Sequence, residues 1–94
     1  MQASASWWNA IEKNNEGVEA LQDELALDAH DAFVQALSED PFLAEIHNNL
    51  GLTFEVNEQK KTALSEYLLA AKYAKDPKLK FFGLFNSARI FGDM

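Results

Sequence analysis

The side chains best suited to chemistry in this sequence are two histidines and several pairs of neighbouring acids. His30 and His47 lack a second ligand at a spacing used by metal sites, so we expect neither to bind a metal ion. The acid pairs at 23–24 and 39–40 fall at predicted helix ends, where capping and solvation explain them without acid–base catalysis. The sequence also contains no glycine-rich phosphate loop. We therefore expect no enzyme activity, no metal and no cofactor.

Composition narrows the class of protein further. The chain has 94 residues, of which 48 % are hydrophobic, so we expect one small domain with a real core over residues 1–94. A formal net charge of −7 argues against a nucleic-acid partner, because binding that backbone needs a basic surface. No apolar run reaches the ~20 residues of a membrane span.

The chain has no cysteines, so disulfides and thiolate metal sites are excluded and the redox compartment stays undetermined. We favour the cytoplasm. A periplasmic location, or a membrane-tethered one in a longer parent protein, is the alternative.

The charges are divided unevenly along the chain. Residues 1–58 carry a balance of −11, whereas residues 59–94 carry a balance of +4. This split could steer a basic partner to one end of the molecule, or favour head-to-tail contact between two copies. A solvated surface with unevenly placed lysines explains the same pattern, so all three interpretations stay open.

Apolar residues recur at three- and four-residue spacing through most of the chain, which predicts helices and no strands. Asp40-Pro41 and Asp76-Pro77 each combine a capping acid with a proline tolerated in the first turn, so each should end one helix and open the next. The first break, near residues 23 and 24, is placed by analogy with residues 56–58. The predicted architecture is five antiparallel helices, over residues 7–22, 27–38, 41–56, 59–74 and 77–91.

Residues of constrained type also recur at a fixed offset of 34 positions. They are small, aromatic or amide-bearing, and six such matches are improbable by chance in a short chain. A period near 34 residues points to an array of helix–turn–helix repeats. The recurring pairs are Asn14 and Asn48, Asn15 and Asn49, Gly17 and Gly51, Ala29 and Ala63, Phe33 and Tyr67, and Ala36 and Ala70.

At these residues the chain resembles the tetratricopeptide repeat family, whose pattern is W-x2-L-G-x2-Y, then A-x3-F, then P. The resemblance covers about two and a half repeats, at residues 7–40, 41–76 and 77–94. The second repeat has His47 in the tryptophan position, and its closing Pro77 arrives two residues later than the first repeat's Pro41 predicts. The residues it keeps are Leu50, Gly51, Phe54, Ala63, Tyr67 and Pro77, and the partial third repeat keeps Asn86, Ala88 and Phe91.

The resemblance implies an all-α fold in which antiparallel helix pairs stack into a right-handed superhelix. It places Gly17, Gly51 and Ala88 where two helices cross closely. It also implies that Phe33 and Tyr67 fill the space between successive repeats. These are packing roles rather than chemistry.

The function implied by the resemblance is non-catalytic binding of a peptide or partner protein in a concave groove. In this family the first helix of each repeat lines the groove, and an asparagine amide suits a peptide bond because it both donates and accepts. Asn15, Asn49 and Asn86 would form one ladder, although asparagine also has a structural explanation at this position. The implied groove residues are Asn14, Asn15, Val18, Asn48, Asn49, Leu52, Phe82, Phe85, Asn86 and Arg89.

The alternative function is structural self-assembly through the partial third repeat. Its helix is apolar on more than one side, and in this family one side would be covered by a second helix that the sequence does not contain. Burying a large apolar side chain is worth roughly 1.5–3 kcal/mol, so we expect a homodimer in concentrated solution. The expected contacts are Phe81, Phe82, Phe85 and Phe91.

Overall fold

The structure is a computed structural model that describes residues 5–94. Within that range it is all α-helical, with five helices and no strand, as the apolar spacing predicts. Turns of three residues join α1 to α2, α3 to α4 and α4 to α5, and such short connections place packed neighbours antiparallel. The helices are α1 (Ala5–Gln22), α2 (Ala26–Glu39), α3 (Ala44–Val56), α4 (Lys60–Tyr73) and α5 (Pro77–Asp93).

The chain divides into two compact units, with the boundary between Phe42 and Leu43. In the first unit α1 packs on α2. In the second unit α4 packs on both α3 and α5, and α3 and α5 also touch each other. Each unit therefore has its own set of helix contacts.

The turns within the two units have the same backbone geometry. Glu24 and Glu58 both have a φ of 62°, which is left-handed and unusual for a residue with a side chain. The next amide, of Leu25 or Gln59, donates to the carbonyl five residues earlier at 2.8 Å in both turns. This is the Schellman arrangement that closes a helix C-terminus, and it confirms the break placed near residue 24 by analogy.

The two Asp-Pro pairs turn out not to be equivalent. Asp76 caps α5, because its carboxylate accepts from the amide of Lys78 at 2.7 Å and Pro77 is the first helical residue. Asp40 makes the matching bond to the amide of Phe42 at 3.1 Å, but the chain there forms a turn and α3 begins only at Ala44. The prediction that α3 starts at residue 41 is therefore wrong by about one helical turn, because an aspartate two residues ahead of an amide also stabilises an isolated turn.

The core of the first unit is built on contact between Gly17 and Phe33. Phe33 is fully buried, and a Cβ on Gly17 would overlap its ring. Ala29 and Ala36, each about one turn from Phe33 on α2, are also fully buried. A residue without a side chain on α1 thus lets the ring lie against the helix backbone.

The second unit repeats this contact with Gly51 and Tyr67. Tyr67 is fully buried, and a Cβ on Gly51 would lie 2.5 Å from ring atom Cε1. Tyr67 and Ala63 of α4 form a buried cluster with Ile90 of α5. The helix α5 therefore covers the side of α4 that α3 does not cover. The predicted close crossings at Gly17 and Gly51 are confirmed.

The predicted crossing at Ala88 is wrong, because Ala88 is exposed. The buried residues of α5 are Gly83, Ser87 and Ile90, and a Cβ on Gly83 would meet the backbone nitrogen of Ala71 at 2.8 Å. The expectation that Ala88 corresponds to Gly51, which is an offset of 37 positions, therefore misplaces the third repeat by one residue. Pro77 follows Pro41 by 36 positions, and this offset puts the small, buried Ser87 at the position of Gly51.

The contact of Gly51 with Tyr67 predicts the effect of one added methyl group. Gly51→Ala should lower the free energy of unfolding by about 1–3 kcal/mol, because the ring must shift in a filled core. The ring cannot swing out easily, since its hydroxyl is bonded to Glu55 at 2.6 Å. Urea unfolding followed by circular dichroism measures the change.

Gly92→Ala is the matched control, because a Cβ there has no neighbour within 4 Å. In the monomeric chain its only expected effect is the better helix propensity of alanine, a gain of up to about 1 kcal/mol. Equal unfolding curves for the two alanine variants would contradict the close contact at Gly51.

The left-handed residue in the first turn gives a second prediction. Glu24→Gly should raise the free energy of unfolding by about 0.5–1 kcal/mol, because glycine takes a positive φ without strain. The control is Glu12→Gly, an exposed position within α1 that also loses one carboxylate and should be destabilised by about 0.5–1 kcal/mol. Stability changes of the same sign in urea titrations would show that residue 24 is not left-handed.

Candidate interaction surface

Polar side chains of α3 and α5 meet at one face of the second unit. Asn86 on α5 donates from its amide nitrogen to the side-chain oxygen of Asn48 on α3, at 3.3 Å. The oxygen of Asn86 in turn accepts from the guanidinium of Arg89, also at 3.3 Å. Three predicted groove residues from two helices are thus joined in one chain of hydrogen bonds.

Glu55, near the end of α3, anchors this chain of bonds. Both of its oxygens accept from the Arg89 guanidinium at 2.7 Å, which is the two-bond geometry that makes arginine–carboxylate pairs strong. The Tyr67 hydroxyl also donates to Glu55, at 2.6 Å. One carboxylate therefore connects α3, α4 and α5, and it holds Arg89 in a fixed orientation beside Asn86.

The charges of this network shift the protonation equilibria of its members. Hydrogen bonding from Arg89 lowers the pKa of Glu55 below its ordinary value, against the opposing effect of burial. Burial raises the pKa of Tyr67, and the neighbouring Glu55 carboxylate raises it further. The same carboxylate raises the pKa of Arg89. At neutral pH the network therefore consists of a carboxylate, a neutral phenol and a guanidinium, and it lacks a group poised for proton transfer.

His47 belongs to a separate pair on the same unit. Its Nδ1 lies 2.8 Å from a carboxylate oxygen of Glu66 on α4, and both side chains are largely buried. The ring also lies 5.5 Å from the ring of Tyr73. These contacts give the imidazole a packing role between α3 and α4.

An aromatic cluster covers the outer side of α5. The rings of Phe81 and Phe85 are stacked at 5.9 Å, and the ring of Phe82 lies 6.0 Å from that of Phe81. All three remain exposed, as do Leu84 and Phe91. The prediction that this helix is apolar on more than one side is confirmed.

The remaining predicted groove residues differ in exposure. In the first unit Asn14 is only 8 % exposed, so it is poorly placed to touch a partner, whereas Asn15 is exposed and Val18 is half-buried. In the second unit Leu52 is exposed and Asn49 is half-buried. The observed amide pair joins Asn86 to residue 48, so the ladder through Asn15, Asn49 and Asn86 stays a prediction.

Glu55 and the Tyr67 hydroxyl were missed as members of this surface, although the sequence carries a signal for them. The repeat offset of 34 relates Phe33 to Tyr67 and Leu21 to Glu55. The second repeat thus replaces two apolar residues with two polar ones. Since a buried phenol needs a partner, the joint replacement indicates a hydrogen bond between them.

Among the described residues, none of the helices is both long and apolar enough to cross a membrane. Comparisons of the chain with models of protein families, with curated proteins and with solved structures found no match. The assignment of a function therefore depends on the geometry of the second unit and on the repeat pattern.

The lowered pKa of Glu55 predicts a dependence of stability on pH. A carboxyl group whose pKa is lowered in the folded state stabilises the protein at pH values above its ordinary pKa of 4.5. This contribution to stability is lost as the pH falls from 4.5 through the lowered pKa. Glu55→Gln should cost about 1–2 kcal/mol at pH 7, through weaker bonds to Arg89 and Tyr67. The cost should shrink between pH 5 and pH 3, as measured by urea unfolding.

Glu58→Gln is the control for this experiment, because it removes one carboxylate from an exposed position on the same unit. Its effect on stability should be small at every pH. A cost for Glu55→Gln that is equally large at pH 3 and pH 7 would contradict the assignment of a charged, arginine-bound carboxylate.

Proposed function

We propose that the chain is a non-catalytic protein-interaction module of the tetratricopeptide kind, which binds an extended segment of a partner protein. The observation that carries the proposal is the face where Asn48, Asn86 and Arg89 converge, since these are polar groups of two helices held in fixed positions beside exposed apolar residues. The recurrence of the glycine–aromatic contact and of the left-handed turn at an offset of 34 supports the repeat interpretation.

The polar part of this face suits the backbone of a peptide. A primary amide has two N–H donors and an oxygen with two lone pairs, and the bond between Asn48 and Asn86 uses only part of this capacity. Because Arg89 and Glu55 fix the orientation of Asn86, little side-chain entropy is lost when a ligand binds. Asn49, one residue further along α3, is the other amide of this unit that we assign to the surface.

The apolar part of the face selects the side chains of the partner. Of the apolar residues of the predicted groove, Leu52 on α3 and Phe82 on α5 are exposed on the side of the amide pair, whereas Phe85 lies on the outer side of α5. Aromatic residues at the centre of an interface commonly contribute most to affinity. We therefore assign the module to a ligand with an extended backbone and apolar side chains.

A peptide-display selection followed by mutation tests this proposal. Random twelve-residue peptides would be selected on the wild-type chain, and dissociation constants of enriched peptides measured by fluorescence anisotropy. Asn48→Ala combined with Asn86→Ala should weaken binding at least tenfold, because each lost bond to a buried peptide group costs about 1–3 kcal/mol. The helical circular dichroism spectrum should not change.

Asn57→Ala provides the control, since this exposed asparagine lies just beyond the end of α3. Its dissociation constants should equal those of the wild type. Enrichment of no peptide, or equal affinities for the double variant and the wild type, would contradict the proposed binding face.

A further inference from the structure

The outer side of α5 carries a stripe of four residues that differ in size from one end to the other. Phe81, Phe85, Ala88 and Gly92 follow one another at spacings of four, three and four positions, which places them on one side of a helix. With about 100° between successive residues, this side is opposite the buried residues Gly83, Ser87 and Ile90 of the same helix. We call these four residues the α5 stripe.

The two halves of the α5 stripe have complementary shapes. The N-terminal half is bulky, with Phe81 and Phe85 stacked on each other and 60 % and 54 % exposed. The C-terminal half is flat, because Ala88 is exposed and a Cβ on Gly92 would have no neighbour within 4 Å. A surface that is raised at one end and flat at the other can match a second copy of itself.

We infer that two copies of the chain dimerise by packing their α5 stripes against each other in antiparallel orientation, about a two-fold axis near residues 86 and 87. In this arrangement Phe81 lies against the partner's Gly92, and Phe85 lies against the partner's Ala88. Both pairs have the same midpoint in the sequence, so a single register satisfies both. Each aromatic side chain then fits a position where the facing helix has room, as knobs fit holes in coiled coils.

The residues beside the α5 stripe favour the same orientation. Lys78 and Asp93 lie on one flank at opposite ends of the helix, so antiparallel packing brings each lysine next to the partner's Asp93. Leu84 and Phe91 lie on the other flank and come together in the same way. Asp93 is available for this contact, because it is exposed and its ion pair with Lys60 is long, at 3.9 Å.

Parallel packing of the two helices is disfavoured by size and by charge. It would place phenylalanine on phenylalanine at one end, leave a gap between small residues at the other, and set Lys78 beside the partner's Lys78. Head-to-tail contact between acidic and basic ends joins unlike surfaces and leads to open chains unless it closes into a ring. The antiparallel pair instead closes as a dimer. It takes the place of the head-to-tail contact between the acidic and basic ends that the charge distribution allows.

Sedimentation equilibrium tests whether this dimer forms. The wild-type chain should change from monomer to dimer between about 10 μM and 1 mM, because one helix pair buries less surface than a standard stable interface. Ala88→Glu should weaken association at least tenfold by placing a charge opposite Phe85, and it should not disturb folding because Ala88 is exposed. Ser65→Glu, at an exposed position of α4, is the control and should associate like the wild type.

Paramagnetic labelling tests the orientation. The sequence contains no cysteine, so a spin label on Lys75→Cys, at an exposed position just before α5 and outside the proposed contacts, is placed at one known position. This labelled chain is mixed with ¹⁵N-labelled wild-type chain, and only contacts between copies then broaden the observed signals. Broadening at residues 90–94 is the expected result.

Three results would each overturn the inference. The first is a monomer at every concentration up to 1 mM. The second is equal association of the wild type and Ala88→Glu. The third is broadening centred on residues 76–80, which would mean that the helices are parallel.

Discussion

The contact between a glycine of one helix and an aromatic ring of the next is the interaction on which both units depend. In each unit the absence of a side chain on the glycine lets a fully buried ring lie directly on the helix backbone. The alanines one turn before and after the ring keep its own helix close to its partner. The close approach of the ring to the glycine sets the distance between the two helices. The turn with its left-handed residue fixes the connection between them.

The second unit adds polar bonds to this shared design. Where the first unit has Phe33 and Leu21, the second has Tyr67 and Glu55, and the new hydroxyl and carboxylate bond to each other. Arg89 of α5 then completes the carboxylate's hydrogen bonding. A third helix is thereby attached by directional bonds as well as by apolar packing, and its position brings Asn86 to Asn48.

Local patterns in the sequence predict most of this fold. The fixed offset identifies the glycine–aromatic contacts, and it also places a break near residues 23 and 24, where no glycine or proline marks one. Prediction fails where the same sequence pattern, here Asp-Pro, forms two different local structures. Asp40 and Asp76 accept the same hydrogen bond, from the amide two residues further on. Asp40 stabilises a turn with it, whereas Asp76 stabilises the start of a helix.

The candidate site was harder to predict than the fold, because it depends on the rotation of α5 about its axis. An alignment error of one position places Ala88 at a helix crossing, whereas the structure exposes Ala88 and buries Ser87. The near-continuous apolar sequence around residues 81–85 gives no periodic signal that would correct this error. The bonds of Asn86 to Asn48 and of Arg89 to Glu55 both follow from the rotation of α5. The one local sign of them in the sequence is that Leu21 and Phe33 of the first unit are replaced by Glu55 and Tyr67 in the second.

Proton NMR of the two glycines tests the central claim most directly. A ring lying over a glycine shields the glycine's α-protons, and the protons of the two groups are close enough for nuclear Overhauser effects. The account predicts upfield α-proton shifts for both Gly17 and Gly51, with Overhauser contacts to the rings of Phe33 and Tyr67 respectively. Gly83 packs on backbone atoms of α4 rather than on a ring, so its α-protons should lack this upfield shift. Ordinary shifts at Gly17 and Gly51, without ring contacts, would contradict the account.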